Sequence, residues 1–123
     1  MRTLRQGNHD VYFKEPVLNF EMHSDLFSPT HIGNLYPYFK DIKERLIPDE
    51  NSDHVYHFRN EDFYLFMLAH EYKHFTGGTG VRSLVDTYIF LRRFSKSLDW
   101  DYLGEELEKL GITDFERSNR ELA

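Results

Sequence analysis

A short glycine-rich segment most constrains how this chain can fold. Residues 76–80 contain three glycines, at positions 77, 78 and 80. So many glycines in five residues lose too much conformational freedom on folding to continue a helix or a strand cheaply, so the segment is predicted to be a loop. The helical patterns before and after it are therefore predicted to be two separate helices.

The spacing of apolar residues predicts four or five helices in the larger, C-terminal part of the chain. Residues three and four positions apart share one face of a helix, and apolar residues recur at that spacing here. Asn60 and Asp99 are expected to cap two of the helices, and Gly111 is expected to end one of them. The predicted helices span residues 36–46, 61–75, 81–94 and 100–110, with a last short helix beginning near residue 113.

The N-terminal part of the chain is predicted to be extended. Residues 9–14 are rich in β-formers, Pro16 breaks the pattern, and residues 17–23 follow as a second strand. Alternation places Leu18, Phe20 and Met22 on one face, and Val17, Asn19, Glu21 and His23 on the other. The fold class is therefore α+β, with an N-terminal β-hairpin, part of a small mixed sheet, followed by helices.

An isolated hairpin is marginally stable, which leads to an expectation about partners. Two strands need further strands or a covering helix before they are stable. We therefore expect the sheet to be completed either by residues missing upstream or by a partner chain. The second alternative makes homo-oligomerisation through an open sheet edge an expectation.

Composition narrows the classes of protein that the chain can represent. Its 123 residues suit a single domain or a fragment of one, spanning 1–123. The absence of cysteine excludes disulfide frameworks and thiolate metal sites. A net charge of -6 argues against binding to duplex nucleic acid. No signal peptide or membrane-spanning run is seen, so a cytoplasmic location without membrane contact is expected.

The string His70-Glu71-Tyr72-Lys73-His74 has the spelling of a zinc-protease motif. On a helix, His70 and His74 share a face that can hold zinc, and Glu71 can act as base. However, no extension of the motif supplies an obvious third ligand, and a packing face is expected from the stripe Phe63, Phe66, Met67, His70 and His74. Zinc is therefore not expected, and packing is slightly favoured over a polar site role for the two histidines.

Two further sets of polar residues carry alternative interpretations. Glu21 and His23 lie on the polar face of the second strand, where Glu21 can bind magnesium if partners exist, or can simply face solvent. Arg82 and Asp86 have the spacing of an intrahelical ion pair. Alternatively, Arg82 reaches a phosphate at the start of its helix, next to the glycines. The glycine loop lacks the ending of a P-loop.

Several blocks of the sequence, in their order along the chain, resemble one known family. The blocks are Asn8-His9-Asp10-Val11-Tyr12-Phe13-Lys14-Glu15-Pro16, Leu18-Asn19-Phe20-Glu21-Met22-His23, Glu61-Asp62-Phe63, His70-Glu71-Tyr72-Lys73-His74-Phe75, Gly78-Thr79-Gly80-Val81-Arg82-Ser83-Leu84-Val85-Asp86 and Asp99-Trp100. Together they resemble the uncharacterised nucleotidyltransferases of the polymerase-β-like superfamily, and they cover most of the chain.

The resemblance implies magnesium-dependent transfer of a nucleotidyl group from a nucleoside triphosphate to an unidentified acceptor. Glu21 matches the third metal-binding carboxylate of the superfamily, so it is the expected catalytic residue and Mg²⁺ ligand. Arg82 and Lys73 are the expected nucleotide- or phosphate-binding residues. The remaining motif positions form a possible polar site without assigned roles: His23, His70, His74 and Asp86.

The sequence departs from the superfamily pattern in one respect. The superfamily places a Gly-Ser turn and an Asp-x-Asp pair before this hairpin, and neither precedes it here. We therefore expect the chain to represent the C-terminal portion of such a protein and to be inactive alone, so whether it is an enzyme stays open. The alternatives are a non-catalytic binding or assembly module on the same scaffold and, after that, a zinc hydrolase.

Overall fold

The computed structural model describes residues 2–7, 9–31, 33–78 and 80–123. The chain forms two compact units, Met1–Ile42 and Lys43–Ala123. The first unit contains a sheet and one short helix, and the second is mainly helical. This arrangement confirms the α+β class, with an N-terminal sheet followed by helices.

The sheet of the first unit has three strands rather than the two of the predicted hairpin. They run in the order β1 (Arg2–Gln6), β2 (His9–Lys14) and β3 (Leu18–His23), and both pairings are antiparallel. Strand β1 escaped prediction because its sequence has a single strongly apolar residue, Leu4, and no alternation. Its position is fixed by pairing with β2, and the chain thus provides a third strand that the hairpin required.

The register of the sheet shows which of its faces is buried. Val11 of β2 lies opposite Glu21 of β3, and His9 lies opposite His23. Val11 is only 5% exposed, whereas Glu21 itself is exposed. The buried hydrophobic residues of this unit are Val11, Phe27, Leu35, Phe39 and Ile42. Leu18, Phe20 and Met22, the apolar face of β3, are all exposed. The buried face of the sheet is therefore the one that carries Val11 of β2, and not the one that carries the alternating apolar residues of β3.

The helix predicted for residues 36–46 is wrong in its extent. The chain forms a short helix α1 (Leu35–Phe39) and then a separate 3₁₀ turn (Ile42–Arg45). Phe39 and Ile42 are both buried. Residues three apart lie on one face in an α-helix and in a 3₁₀ helix alike. The spacing of Phe39 and Ile42 therefore did not show that the α-helix ends between them.

The second unit contains a two-stranded antiparallel ribbon and four helices. Strand β4 (Ile47–Pro48) pairs with β5 (Tyr56–His57). The helices that follow are α2 (Asn60–His74), α3 (Gly80–Phe94), α4 (Trp100–Leu110) and α5 (Thr113–Leu122). Helices α2, α3 and α4 begin and end close to their predicted bounds, α5 begins at its predicted start, and the glycine loop lies between α2 and α3 as predicted. Among the described residues, no helix is long and apolar enough to cross a membrane.

The predicted ends of α4 are confirmed, but the predicted start of α2 is not. Asp99 accepts a hydrogen bond from the backbone N–H of Tyr102 at 3.0 Å, and Gly111 ends the helix with φ +73°. This left-handed conformation favours glycine. The cap position of α2 falls on Arg59, which makes no capping side-chain hydrogen bond, so Asn60 is the first helical residue instead.

Helix α2 is the centre of the second unit and packs against α3 and α4, while α5 packs against α3 and α4. One face of α2 supplies the buried residues Tyr64, Leu65, Leu68 and Ala69. Tyr64 also reaches α5, where its hydroxyl donates a hydrogen bond to Glu116 Oε1 at 2.9 Å. Because α2 packs against α3 and α4 and is hydrogen-bonded to α5, the face of α2 next to these buried residues is held in place beside α3.

Candidate functional site

A cleft of about 610 Å³ lies between α2 and α3 in the second unit. Its volume falls within the range of small-molecule sites, roughly 300–1,000 Å³. Aromatic and apolar side chains come from α2, and polar side chains come from α2, the glycine turn and α3. The lining residues are Phe63, Phe66, Met67, His70, Glu71, His74, Gly77, Gly78, Arg82, Ser83 and Asp86.

The stripe of α2 that was expected to be a packing face forms the wall of this cleft. Phe63 is 42% exposed, and both His70 and His74 are exposed. The core is served instead by the adjacent face of the helix, which contains Leu65 and Leu68. Packing therefore does not account for Phe63, His70 and His74, whereas Phe66 and Met67 are half-buried. The apolar pattern could not distinguish the two cases, because Phe and Met are equally hydrophobic in the wall of a cleft and in a core.

Aromatic rings follow one another along the cleft wall. Phe66 and His70 have ring centroids 6.1 Å apart, and those of His70 and His74 are 4.8 Å apart. Phe58, which precedes α2 and is not one of the lining residues, stacks on Phe66 at 5.7 Å with an angle of 10° between the ring planes. We call Phe58, Phe66, His70 and His74 the ring row. The four-residue spacing of its last three members places them on one face of α2.

The ring row ends at the glycine turn, from which α3 begins. Gly78 and Gly80 have φ values of +81° and +66°, which glycine adopts at no steric cost. Arg82 lies in the first turn of α3 and is exposed. Asp86 lies one turn further along α3, but no ion pair within 4.0 Å joins the two side chains in the described structure. Arg82 thus lines the cleft without the ion pair that its spacing suggested.

Glu71 is the buried acidic group of the site. It is 5% exposed, although it also contributes to the cleft lining. Its Oε1 accepts a hydrogen bond from the Thr87 hydroxyl of α3 at 3.1 Å, and its Oε2 accepts one from the Asn119 amide of α5 at 2.8 Å. Burial, together with the negative charge of Asp86, raises the pKa of Glu71 to about 7, against the lowering effect of the two hydrogen bonds.

The partners of Glu71 bear directly on the zinc interpretation. Both of its carboxyl oxygens accept hydrogen bonds from neighbouring helices, so Glu71 joins α2 to α3 and α5. Across residues 2–7, 9–31, 33–78 and 80–123, no group of three side chains of the metal-binding types is arranged to hold a metal ion. The geometry favours a structural role for Glu71 over that of a base at a zinc site.

The remaining predicted site residues lie elsewhere. Glu21 and His23 are on β3 of the first unit, and the rings of His23 and His9 are 5.0 Å apart across the strands. Lys73 is half-buried on α2 and does not line the cleft. The cleft thus brings together four of the predicted residues, namely His70, His74, Arg82 and Asp86.

Sequence reasoning missed the hydrogen-bonded group around Glu71. Thr87 and Asn119 are 16 and 48 residues from Glu71 in the sequence, so no local pattern connects them. A weak signal existed in Thr87, a polar residue in the middle of a helical pattern. Such a residue, if buried, requires a hydrogen-bond partner.

Comparison with known proteins identifies a family. The model of a family described as uncharacterised nucleotidyltransferase matches residues 1–123. No curated protein and no solved structure matches the chain significantly.

Proposed function

Because the chain belongs to the family of uncharacterised nucleotidyltransferases, we propose that it takes part in the transfer of a nucleotidyl group from a nucleoside triphosphate to an acceptor. The observation that carries the nucleotide-binding part of this proposal is the cleft between α2 and α3. It combines a row of aromatic rings, of which His70 and His74 are exposed, with an arginine at the start of a helix. These two features suit the flat base and the phosphate of a nucleotide, respectively.

The phosphate is proposed to lie beside Arg82. The first turn of a helix presents unpaired backbone N–H groups and a partial positive charge, both of which favour an anion. Helix α3 has 15 residues, so its dipole is well developed. Arginine adds a planar group that can donate two parallel hydrogen bonds to phosphate oxygens. The glycines of the turn remove side-chain bulk, which lets a ligand approach the backbone closely.

Glu21 is proposed to contribute to magnesium binding. A carboxylate oxygen is a ligand that Mg²⁺ prefers, and Glu21 is exposed on β3. Among the described residues, no three side chains are grouped so that they could hold a metal ion. Glu21 would therefore be only one ligand of an incomplete Mg²⁺ site. We therefore propose that Glu21 binds Mg²⁺ together with carboxylates other than those of the described residues, and that residues 1–123 bind nucleotide without transferring it.

A second candidate function is a non-catalytic binding or assembly module. The exposed apolar face of β3, formed by Leu18, Phe20 and Met22, is the observation that favours it. Both candidates predict nucleotide binding in the cleft. Sedimentation distinguishes them, because only the assembly module is expected to associate through this face. A transfer assay with labelled nucleoside triphosphate, Mg²⁺ and a panel of hydroxyl acceptors tests the need for additional carboxylates. Magnesium-dependent turnover by residues 1–123 would show that the proposed need for additional carboxylates is wrong.

Replacing Arg82 by alanine is expected to weaken the binding of Mg·ATP about 10- to 100-fold. A hydrogen bond to a charged group contributes about 1.5–3 kcal/mol, which corresponds to that loss. Isothermal titration calorimetry measures the change. Arg93→Ala is the matched control, because Arg93 lies on the same helix, is exposed and does not line the cleft. Equal affinities of the two variants would rule out a phosphate contact at Arg82.

A further inference from the structure

The cleft also indicates which part of a nucleotide it takes, an inference that rests on the proposed function. We propose that it holds a nucleoside with one phosphate, with the base against the ring row and the phosphate at Arg82. The other phosphates of a triphosphate then lie outside the cleft. This assignment follows from the arrangement of the rings and from the balance of charges in the lining.

The ring row provides the surface for the base. Its three members on α2 follow the cleft wall, with Phe66 half-buried and His70 and His74 exposed, while Leu65 and Leu68 lie in the core. From Phe66 to His74 the row follows two turns of helix, a distance of about 12 Å along the axis. Aromatic side chains stack on nucleobases through the flat faces of both, an interaction that every base can make. Phe63 and Met67 add apolar surface on the same wall.

The direction of the ligand follows from the position of Arg82. The ring row ends with His74, and the 3₁₀ turn Phe75–Gly77 leads from there towards α3. Arg82 and Ser83 lie in the first turn of α3, at this same end of the cleft. A ligand with its ring on Phe66 and His70 thus has its polar end directed towards the guanidinium.

The charges of the lining limit the number of phosphates. Arg82 is the one lysine or arginine side chain among the lining residues, whereas Glu71 and Asp86 are both carboxyl groups. A triphosphate carries several negative charges and would place some of them near the exposed carboxyl group of Asp86, which costs free energy by repulsion. A single phosphate can instead be matched by the guanidinium and by the start of α3.

The experiment compares ligands that have or lack the base. We would titrate the protein with the four common nucleoside 5′-monophosphates, with ribose 5-phosphate and with inorganic phosphate, using calorimetry. At least one monophosphate is expected to bind about 10- to 100-fold more tightly than ribose 5-phosphate, the gain that stacking on an aromatic side chain provides. Phe66→Leu and His70→Ala should remove most of this gain and leave the affinity for ribose 5-phosphate unchanged.

Two variants complete the design. Arg82→Ala should weaken the monophosphate and ribose 5-phosphate alike, because it removes the phosphate contact. Phe75→Leu is the control for the ring variants, since Phe75 is an exposed aromatic residue outside the cleft lining. Circular dichroism verifies that each variant is folded.

The outcomes separate this inference from the proposed function. If ribose 5-phosphate binds as tightly as every monophosphate, the base assignment is wrong, but the phosphate site at Arg82 stands. If the monophosphate binds with equal affinity to wild type, Phe66→Leu and His70→Ala, the ring row is not the base site. If no monophosphate and no ribose phosphate binds, both the inference and the proposed cleft function are overturned.

Discussion

Replacing Glu71 by glutamine is expected to remove most of the decline in stability between pH 5 and pH 7. Glu71 is buried against Thr87 of α3 and Asn119 of α5, and Asp86 adds a nearby negative charge. Burial therefore raises the pKa of Glu71 to about 7 in the folded protein, compared with an ordinary value of 4.5. Glutamine keeps the shape and carries no charge at any pH.

The sign of the effect follows from proton linkage. An acid with a raised pKa binds its proton more tightly in the folded state than in the unfolded state. The folded state is thus most favoured below the ordinary pKa, and the stabilisation declines as pH rises towards 7. One pKa unit corresponds to about 1.4 kcal/mol, so the free energy of unfolding should fall by up to about 3 kcal/mol across this range.

Urea denaturation of the wild type and of Glu71→Gln at several pH values measures this difference. Other groups titrate in the same range, but they are common to both proteins and cancel in the comparison. Glu105→Gln on α4 is a suitable control, because Glu105 is exposed and its removal should leave the wild-type slope unchanged. Parallel stability curves for wild type and Glu71→Gln would show that Glu71 is not a buried acid of raised pKa.

Replacing Phe90 by alanine is expected to lower the free energy of unfolding by about 3–5 kcal/mol, the usual cost of deleting a buried phenyl ring. Phe90 is 8% exposed and joins α3 to α2. Its ring stacks on Tyr64 at 5.5 Å with an angle of 8° and lies 5.7 Å from the ring of Phe63. Removing it leaves a cavity between the helices that form the two walls of the cleft.

The adjacent residue provides a matched control for this variant. Ile89 is on the same helix but is 58% exposed, so Ile89→Ala should change stability by less than about 0.5 kcal/mol. Thermal or urea unfolding of the two variants measures the difference. Phe90→Ala should also weaken nucleotide binding, because Arg82 and the ring row are on opposite walls. Equal stability of the two variants would mean that Phe90 does not hold α3 against α2.

Local patterns predicted the helices of the second unit because those helices depend on local physics. The helical spacing of α2 to α5, the cap at Asp99, the stop at Gly111 and the loop at the glycines are all encoded within a few residues. Strand β1 was missed because its pairing with β2 is a non-local contact. The sequence showed the apolar residues of β3 but not that they are exposed, because the buried face of the sheet is the one that carries Val11.

The candidate site was predictable in its members but not in its arrangement. His70, His74, Arg82 and Asp86 stood out from motif positions, and the fold places all four around one cleft. The same stripe of α2 was interpreted as a packing face, because a periodic pattern shows which residues share a face but not what that face contacts. The environment of Glu71 depends on residues far along the chain.

The most direct test of the proposed nucleotide site is a map of backbone amide shifts by ¹H–¹⁵N NMR. The ligand would be a non-hydrolysable ATP analogue with Mg²⁺, added to the protein in increasing amounts. We expect saturable changes concentrated around the cleft, at residues such as Met67, His70, Gly78 and Arg82. Absence of saturable changes, or changes confined to residues outside the cleft, would contradict a nucleotide site between α2 and α3.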